Sequence, residues 1–221
     1  MYRAFVINLE RRPDRYADFK KRNQEIFKFL YVTRVIATDG LALDLAEYSE
    51  RINPWLIENR PEARIRGVIA CALSHLRVLQ EVSLLTDDFA LIFEDDARLI
   101  NKYSPSHLRH ILSKIPKYTD LVWLSDYDPT RTRIENWCMR AHVAFPFFSK
   151  LIRWNGDPFK TAEAYVVAPN FARKLYSTIS ENMSAFDSDI RDYVRDHGEA
   201  QVFCSAPPIF TQANRNDSNI R

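Results

Sequence analysis

The acidic run Glu94-Asp95-Asp96 follows directly on the apolar run Ala90-Leu91-Ile92-Phe93. Carboxylates at the mouth of a buried strand offer hard oxygen ligands to Mg²⁺ or Mn²⁺, so the run is a candidate metal site. Spacing alone carries little weight. Acid-x-acid occurs three times, at Glu94/Asp96, Asp126/Asp128 and Asp187/Asp189, where composition by itself produces about four. Position is the informative part, and the competing reading is a solvated turn or a helix start that favours negative charge. Arg11-Arg12 stand at a helix entry, where a cation gains nothing from the dipole. A phosphate there would use both guanidinium groups and the free backbone N–H groups; a solvated helix entry is the plainer alternative. His75 follows Ser74 inside a long apolar segment, where a half-buried histidine packed between Cys71 and Leu79 is the simpler expectation.

These residues need elements to position them. Residues 4–9, 31–37, 89–93, 120–124 and 161–168 read as strands, and 202–204 as a short final one. Residues 14–29, 68–85, 108–115 and 169–180 carry helical spacing, with Pro13 and Pro169 at helix starts and Pro116 after a helix end. Pro54 begins a short helical piece, and 189–195 suits another. Strand–helix alternation predicts an α/β domain with a mostly parallel sheet flanked by helices. Ligands then gather beyond the carboxyl ends of the strands. The first strand delivers Asn8, Arg11 and Arg12; the second Thr38, Asp39 and Gly40; the third the acidic run; the fourth Ser125 and Asp126. Residues 128–157 read as irregular. Trp137, Phe145, Phe147, Phe148, Trp154 and Phe159 in and beside that stretch suit either core or a sugar platform or mobile lid. The tail from Gln212 reads as frayed.

Composition sets the outer limits. The 221 residues suit one medium domain with a sizeable core, and 31 basic against 29 acidic residues give no basic excess of the kind nucleic acid asks for. No run is long enough for a signal peptide or a membrane span. Cys71, Cys138 and Cys204 form no CxxC pair and no zinc spacing, which argues against a disulfide framework or structural zinc and for a reducing compartment. Glycine occurs only four times, at Gly40, Gly67, Gly156 and Gly198. A Walker loop and a GxGxxG turn both need clustered glycines, so any phosphate must be held by other means.

Taken in order, several segments resemble glycosyltransferase family 25, the family of bacterial lipooligosaccharide and collagen galactosyltransferases. Phe5-Val6-Ile7-Asn8-Leu9-Glu10-Arg11-Arg12-Pro13-Asp14-Arg15 is similar to its opening signature, and Ala37-Thr38-Asp39-Gly40 to its acidic-glycine turn. The stretch from Gly67 through Cys71 to Ser74-His75 resembles its GxxxCxxSH helix, and Leu91-Ile92-Phe93-Glu94-Asp95-Asp96 its EDD motif. Ala164-Tyr165 through Leu175 resembles a late strand–helix unit, and Gln212 and Ser218 a polar tail element. Thr161-Ala162 stands where the family usually has Gly-Thr, and Ala185 where a proline often precedes the late aspartate.

The resemblance implies a GT-A type Rossmann-like domain using a UDP-sugar, usually UDP-galactose, and a divalent metal, Mn²⁺ before Mg²⁺, with inversion at the anomeric carbon. On it, Asp96 and Glu94 are expected at the metal. Asn8, Leu9, Arg11, Arg12, Arg15, Thr38, Asp39, Gly40, Ser74, His75, Glu94 and Asp95 are expected around the donor. Asp187 is the first choice for general base, with Asp189 and Asp126 behind it; capping of the turn at 190–195 competes for Asp187 and Asp189. Residues 1–126 would form a nucleotide and metal half, and 127–221 an acceptor half with a variable aromatic region at 127–160. The acceptor would be a glycan, glycolipid or glycoprotein. The expected location is cytoplasmic. Lys20, Lys21, Arg22, Lys28, Lys114 and Lys117 read as solvated helix faces, with peripheral contact at an anionic membrane as the alternative. Two other classes compete: a non-catalytic nucleotide-sugar or glycan-binding protein that keeps the fold, and a metal-dependent phosphoesterase. The second would favour a nucleophilic aspartate where Asn8 stands.

Overall fold

The computed structural model describes residues 1–125, 150–154 and 161–213. Its first strand, β1 (Tyr2–Leu9), is apolar at every residue from Ala4 to Ile7, and all four side chains are buried. A strand covered on both faces belongs in the middle of a layered α/β domain. β1 pairs in parallel with β2 (Leu30–Ala37) on one side and β3 (Ala90–Glu94) on the other. β7 (Ala164–Val167) lies antiparallel between β3 and β5 (Leu121–Trp123), and β8 (Val202–Ala206) and β6 (Lys150–Arg153) complete the sheet. Among the described residues the order is β2-β1-β3-β7-β5-β8-β6. Only β7 and β6 run against the rest, so the sheet is mostly parallel as the alternation predicts.

Alternating side chains divide the core into two layers. Phe5, Ile7, Ile92, Trp123 and Tyr165 face one way, towards α3 (Glu62–Ser83), α5 (Pro169–Ile179) and α6 (Phe186–Asp196). Val6, Leu91, Phe93, Val122 and Val166 face the other, towards α1 (Pro13–Arg22) and α4 (Ser104–Leu112). α3 is the main brace, with Ile69, Ala72, Leu76 and Leu79 buried along one face. Leu79 is fully buried, so Leu79→Ala is expected to cost about 2–5 kcal/mol through lost burial and a residual cavity. Urea unfolding should show a lower midpoint with an unchanged slope.

Several boundaries differ from the periodicity. The first helix stops at Arg22 instead of running to 29, because Asn23 is fully buried and turned inward. Its amide donates to Phe19 O at 3.0 Å and Ala97 O at 2.9 Å, and its oxygen accepts from Leu99 N at 3.1 Å. Those bonds tie the helix end to β4 (Ala97–Leu99). The long helix begins at Glu62, not at 68. Its polar first turns escape an apolar pattern, yet Pro61 precedes them and Glu62 accepts from Arg66 four residues on, at 3.0 Å. β6 falls in a stretch read as irregular; it is an exposed edge strand without a buried face. Gln212, the first residue of the stretch read as a frayed tail, ends a strand: β9 (Phe210–Gln212) pairs antiparallel with β4. A short helix α2 (Pro54–Asn59) starts where Pro54 indicated, capped by the Asn53 side chain on Trp55 N at 3.0 Å.

Candidate functional site

The carboxyl ends of β2, β1 and β3 lie side by side and open onto a cleft of about 500 Å³. From β1 come Asn8 and Leu9, followed by Arg11 and Arg15; from beyond β2 come Thr38, Asp39 and Gly40; from β3 and its turn come Glu94, Asp95 and Asp96. α3 forms the opposite wall with Gly67, Cys71, Ser74 and His75. Gly40 has a steric reason. A Cβ there would meet Arg66 O at 3.1 Å and Gly67 Cα at 3.3 Å, so the turn after β2 packs tightly on α3 only without a side chain. Ser74 fixes the same join, donating to Ala70 O at 2.6 Å and accepting from Thr38 N at 2.9 Å.

Asn8 is fully buried and organises the acidic turn. Its amide donates to Asp95 Oδ2 at 2.6 Å and to Arg12 O at 2.9 Å, while its oxygen accepts from Arg34 at 2.6 and 2.9 Å. Arg15 lies between the two aspartates, in contact with Asp95 and 3.3 Å from Asp96 Oδ2. Burial nevertheless pushes the Asp95 carboxyl above the usual range, and Arg15 and Asn8 only partly offset it. Asp96 Oδ2 also accepts from Gln212 Nε2 at 3.0 Å, and Asp96 O accepts from Ala213 N at 2.8 Å. Gln212 and Ala213, the first residues of the stretch read as frayed, therefore clamp this aspartate. Asp96 Oδ1 is buried and has no hydrogen-bond partner among the described residues. A bare carboxylate oxygen facing a polar cleft is costly unless a cation satisfies it, so the site fits a hard divalent ion at Asp96.

Glu94 points elsewhere. Its Oε1 lies 3.2 Å from His75 Nε2, and His75 Nδ1 lies 3.0 Å from the Tyr165 hydroxyl. Phe186 stacks on the imidazole at 4.2 Å. Burial lowers the His75 pKa to about 3, against a smaller opposing pull from Asp187. The ring is thus neutral, and its contact with Glu94 is a hydrogen bond rather than an ion pair. Burial, then the neighbouring Asp96 and Asp95, push Glu94 well above the ordinary carboxylate range. Among the described residues, the group of three His, Cys, Asp or Glu ligand atoms within 4.8 Å of one another is Cys71, His75 and Glu94. Asp96 is not in that group of three, though it is the strongest charge acting on Glu94.

The remaining expected residues divide. Arg11 stands at the cleft rim paired with Asp39, which that guanidinium holds below the usual carboxylate range. Arg12 is not among the cleft-lining residues and contacts Asp14 at 2.9 Å. Asp187 and Asp189 open α6. Asp189 accepts from Ser184 N at 2.9 Å and from the Ser184 hydroxyl, a bonding pattern that secures the helix start. Burial raises Asp189 to about 6 against those bonds. Asp187 accepts from Ser188 N at 2.9 Å, and burial raises its carboxyl too. Neither lines the cleft, though Asp187 follows the Phe186 that stacks on His75. Asp126 lies outside the described residues, as do Ser218 and the aromatic set apart from Trp154. Trp154 packs edge-on against the core residue Trp123 at 6.3 Å. The fourth strand is not a neighbour of the third, since β7 separates them, and Ser125 Oγ donates to Thr161 O at 3.0 Å.

Four contributors were not foreseen: Arg34, Tyr165, Phe186 and, in its grip on Asp96, Gln212. A signal existed only for Tyr165, whose place in an apolar strand puts it on the α3 face by alternation.

A model of glycosyltransferase family 25, described as an LPS biosynthesis protein family, matches residues 1–190. The chain belongs to glycosyltransferase family 25. Mouse procollagen galactosyltransferase 2 is similar to this family 25 chain, 33% identical over an alignment of 112 residues that covers 45% of this chain. The match spans only 16% of the mouse protein. Two solved structures are also similar. One is a Drosophila beta-1,4-galactosyltransferase 7 mutant in complex with manganese, UDP-Gal and xylobiose, 10% identical at a TM-score of 0.47, covering 97% of this chain and 72% of that one. The other is mouse xyloside xylosyltransferase 1 without ligand, 7% identical at a TM-score of 0.41, covering 90% and 83%.

Proposed function

We propose that this family 25 protein is an inverting glycosyltransferase that moves a galactosyl unit from a UDP-sugar to a hydroxyl of a glycan acceptor of the lipooligosaccharide type. The observation that carries the reading is the buried, unpartnered Asp96 Oδ1 at the carboxyl edge of β1 and β3, beside Asn8, Arg15 and the Arg11–Asp39 rim. A nucleotide sugar needs its diphosphate held and its leaving charge absorbed. With no glycine cradle in the chain, that task falls to Asp96 and the arginines. A divalent ion at Asp96, Mn²⁺ or Mg²⁺, would supply Lewis-acid stabilisation of the departing diphosphate.

The chain's own residues do the rest. Arg15 and Gln212 hold Asp96 Oδ2, which leaves the buried Oδ1 of this cleft-lining residue to take the ion. Asn8, pinned by Arg34, sets Asp95. Arg11 and Asp39 offer a guanidinium and a carboxylate to the nucleotide at the rim, with Thr38 and Gly40 beneath. Asp187 takes the proton from the acceptor hydroxyl as its oxygen bonds to the anomeric carbon and the bond to the diphosphate oxygen breaks, the electron pair leaving with UDP. Inversion places the base opposite the leaving group, and Asp187 comes from α6, a different element from the one that carries the Asp95–Asp96 turn.

Calorimetric titration with UDP tests the reading. Binding is expected with Mn²⁺ and is expected to weaken at least tenfold after chelation. Metal-independent or absent UDP binding would overturn it. A screen of UDP release over several UDP-sugars then identifies the donor.

A further inference from the structure

Cys71, His75 and Glu94 share the cleft with Asp96, but their ligand chemistry is different. Cys71 and His75 stand four residues apart on one face of α3, and Glu94 ends β3 opposite them. All three line the cleft. We propose that these three side chains form a second cation site, selective for thiophilic divalent ions of the Zn²⁺ and Cd²⁺ class, on the wall of the cleft.

Four features support this. First, one sulfur, one imidazole and one carboxylate is a ligand set suited to Zn²⁺, and three protein ligands leave a position open to the cleft. Second, the separations suit a small ion. Bond lengths of about 2.0–2.3 Å place tetrahedral ligands about 3.3–3.7 Å apart. The His75–Glu94 distance is already 3.2 Å, and the whole set lies within 4.8 Å. Third, His75 is held as metal-bound histidines are. Its outer nitrogen meets the Tyr165 hydroxyl at 3.0 Å, and Phe186 fixes the ring plane. Tyr165 can donate or accept, so Nδ1 can carry the proton and leave Nε2 free for an ion. Fourth, Cys71 is a free cysteine and is partly exposed.

The same surroundings explain the selectivity. Burial, reinforced by Glu94 and Asp187, keeps the Cys71 thiol protonated well above its usual range. An ion must displace the thiol proton to solvent and form the metal–thiolate bond in its place. Zn²⁺ and Cd²⁺ form that bond readily; Mn²⁺ and Mg²⁺, which favour oxygen, do not.

The inference stands on these three side chains and does not depend on the transferase reading. Its test uses the full chain and Cd²⁺ alone. Wild type is expected to develop a thiolate-to-Cd²⁺ charge-transfer band that saturates at one equivalent, unaffected by excess Mn²⁺. Cys71→Ser should lose it, and His75→Gln should weaken Cd²⁺ binding at least tenfold. A band of wild-type strength in Cys71→Ser would assign it to Cys138 or Cys204 and overturn the proposal. X-ray absorption at the zinc edge of the wild-type 1:1 complex needs no variant. One sulfur with a nitrogen and oxygen remainder supports the site; an all-oxygen and nitrogen shell refutes it. UDP titration of the same samples reports on the Asp96 site separately.

Discussion

Asp96→Asn is expected to lower kcat/KM for sugar transfer by about a thousandfold and to abolish the Mn²⁺ dependence of UDP binding. The substitution preserves shape. Its amide oxygen can still accept from Gln212 and Arg15, which reach Asp96 Oδ2 at 3.0 and 3.3 Å. What changes is the second position, where an N–H donor replaces the buried Oδ1 that has no partner among the described residues. A donor there repels a cation instead of ligating it. Arg15 keeps Asp95 as an ion-pair partner, so thermal unfolding should move by only a few degrees. The measurement is UDP titration with and without Mn²⁺, paired with initial rates. Wild-type metal dependence in Asp96→Asn would remove the metal from this carboxylate.

That expectation depends on which parts of the site the chain discloses. Strand ends were legible. Asn8 and the acidic run each follow an uninterrupted apolar stretch, and Thr38 and Asp39 follow Val35-Ile36-Ala37, so the carboxyl-edge rule brings them together without knowledge of any contact. Ser74 and His75 were singled out by the family resemblance; the apolar helix alone suggested a packed histidine. Glycine scarcity also held a physical meaning, since Gly40 stands where a Cβ would strike α3. The partners that arrive against the grain were hidden. Tyr165 reaches His75 only because β7 is inserted antiparallel beside β3, so that its first residues lie at the carboxyl edge. Gln212 reaches Asp96 only because β9 pairs back on β4 across more than a hundred residues. Local periodicity contains neither fact. The contacts of Glu94 and Asp96 were hidden for a related reason: His75 meets the first and Arg15 the second, and both arrive from other elements.

Asp187→Asn is expected to leave UDP affinity within twofold of wild type while lowering turnover by about 10²–10⁴-fold. Binding is spared because Asp187 is not among the cleft-lining residues. Turnover suffers because an amide cannot take the acceptor proton. Two aspartates open α6, and their bonding separates them. Asp189 is engaged by both the amide and the hydroxyl of Ser184, so its replacement should cost about 1 kcal/mol of stability at the helix start and little activity. Asp187 accepts from its neighbour's amide, Ser188 N, and stands beside the Phe186–His75 stack. Burial raises its carboxyl above the ordinary range. A base must be ionised to act, so kcat/KM should fall as pH drops through that raised value. The acid limb should therefore lie above the pH at which an exposed aspartate would titrate. In Asp187→Asn the residual rate should lose this limb. Wild-type turnover in that variant, or an unchanged acid limb on its residual rate, would exclude Asp187 as the base and direct attention to Asp126.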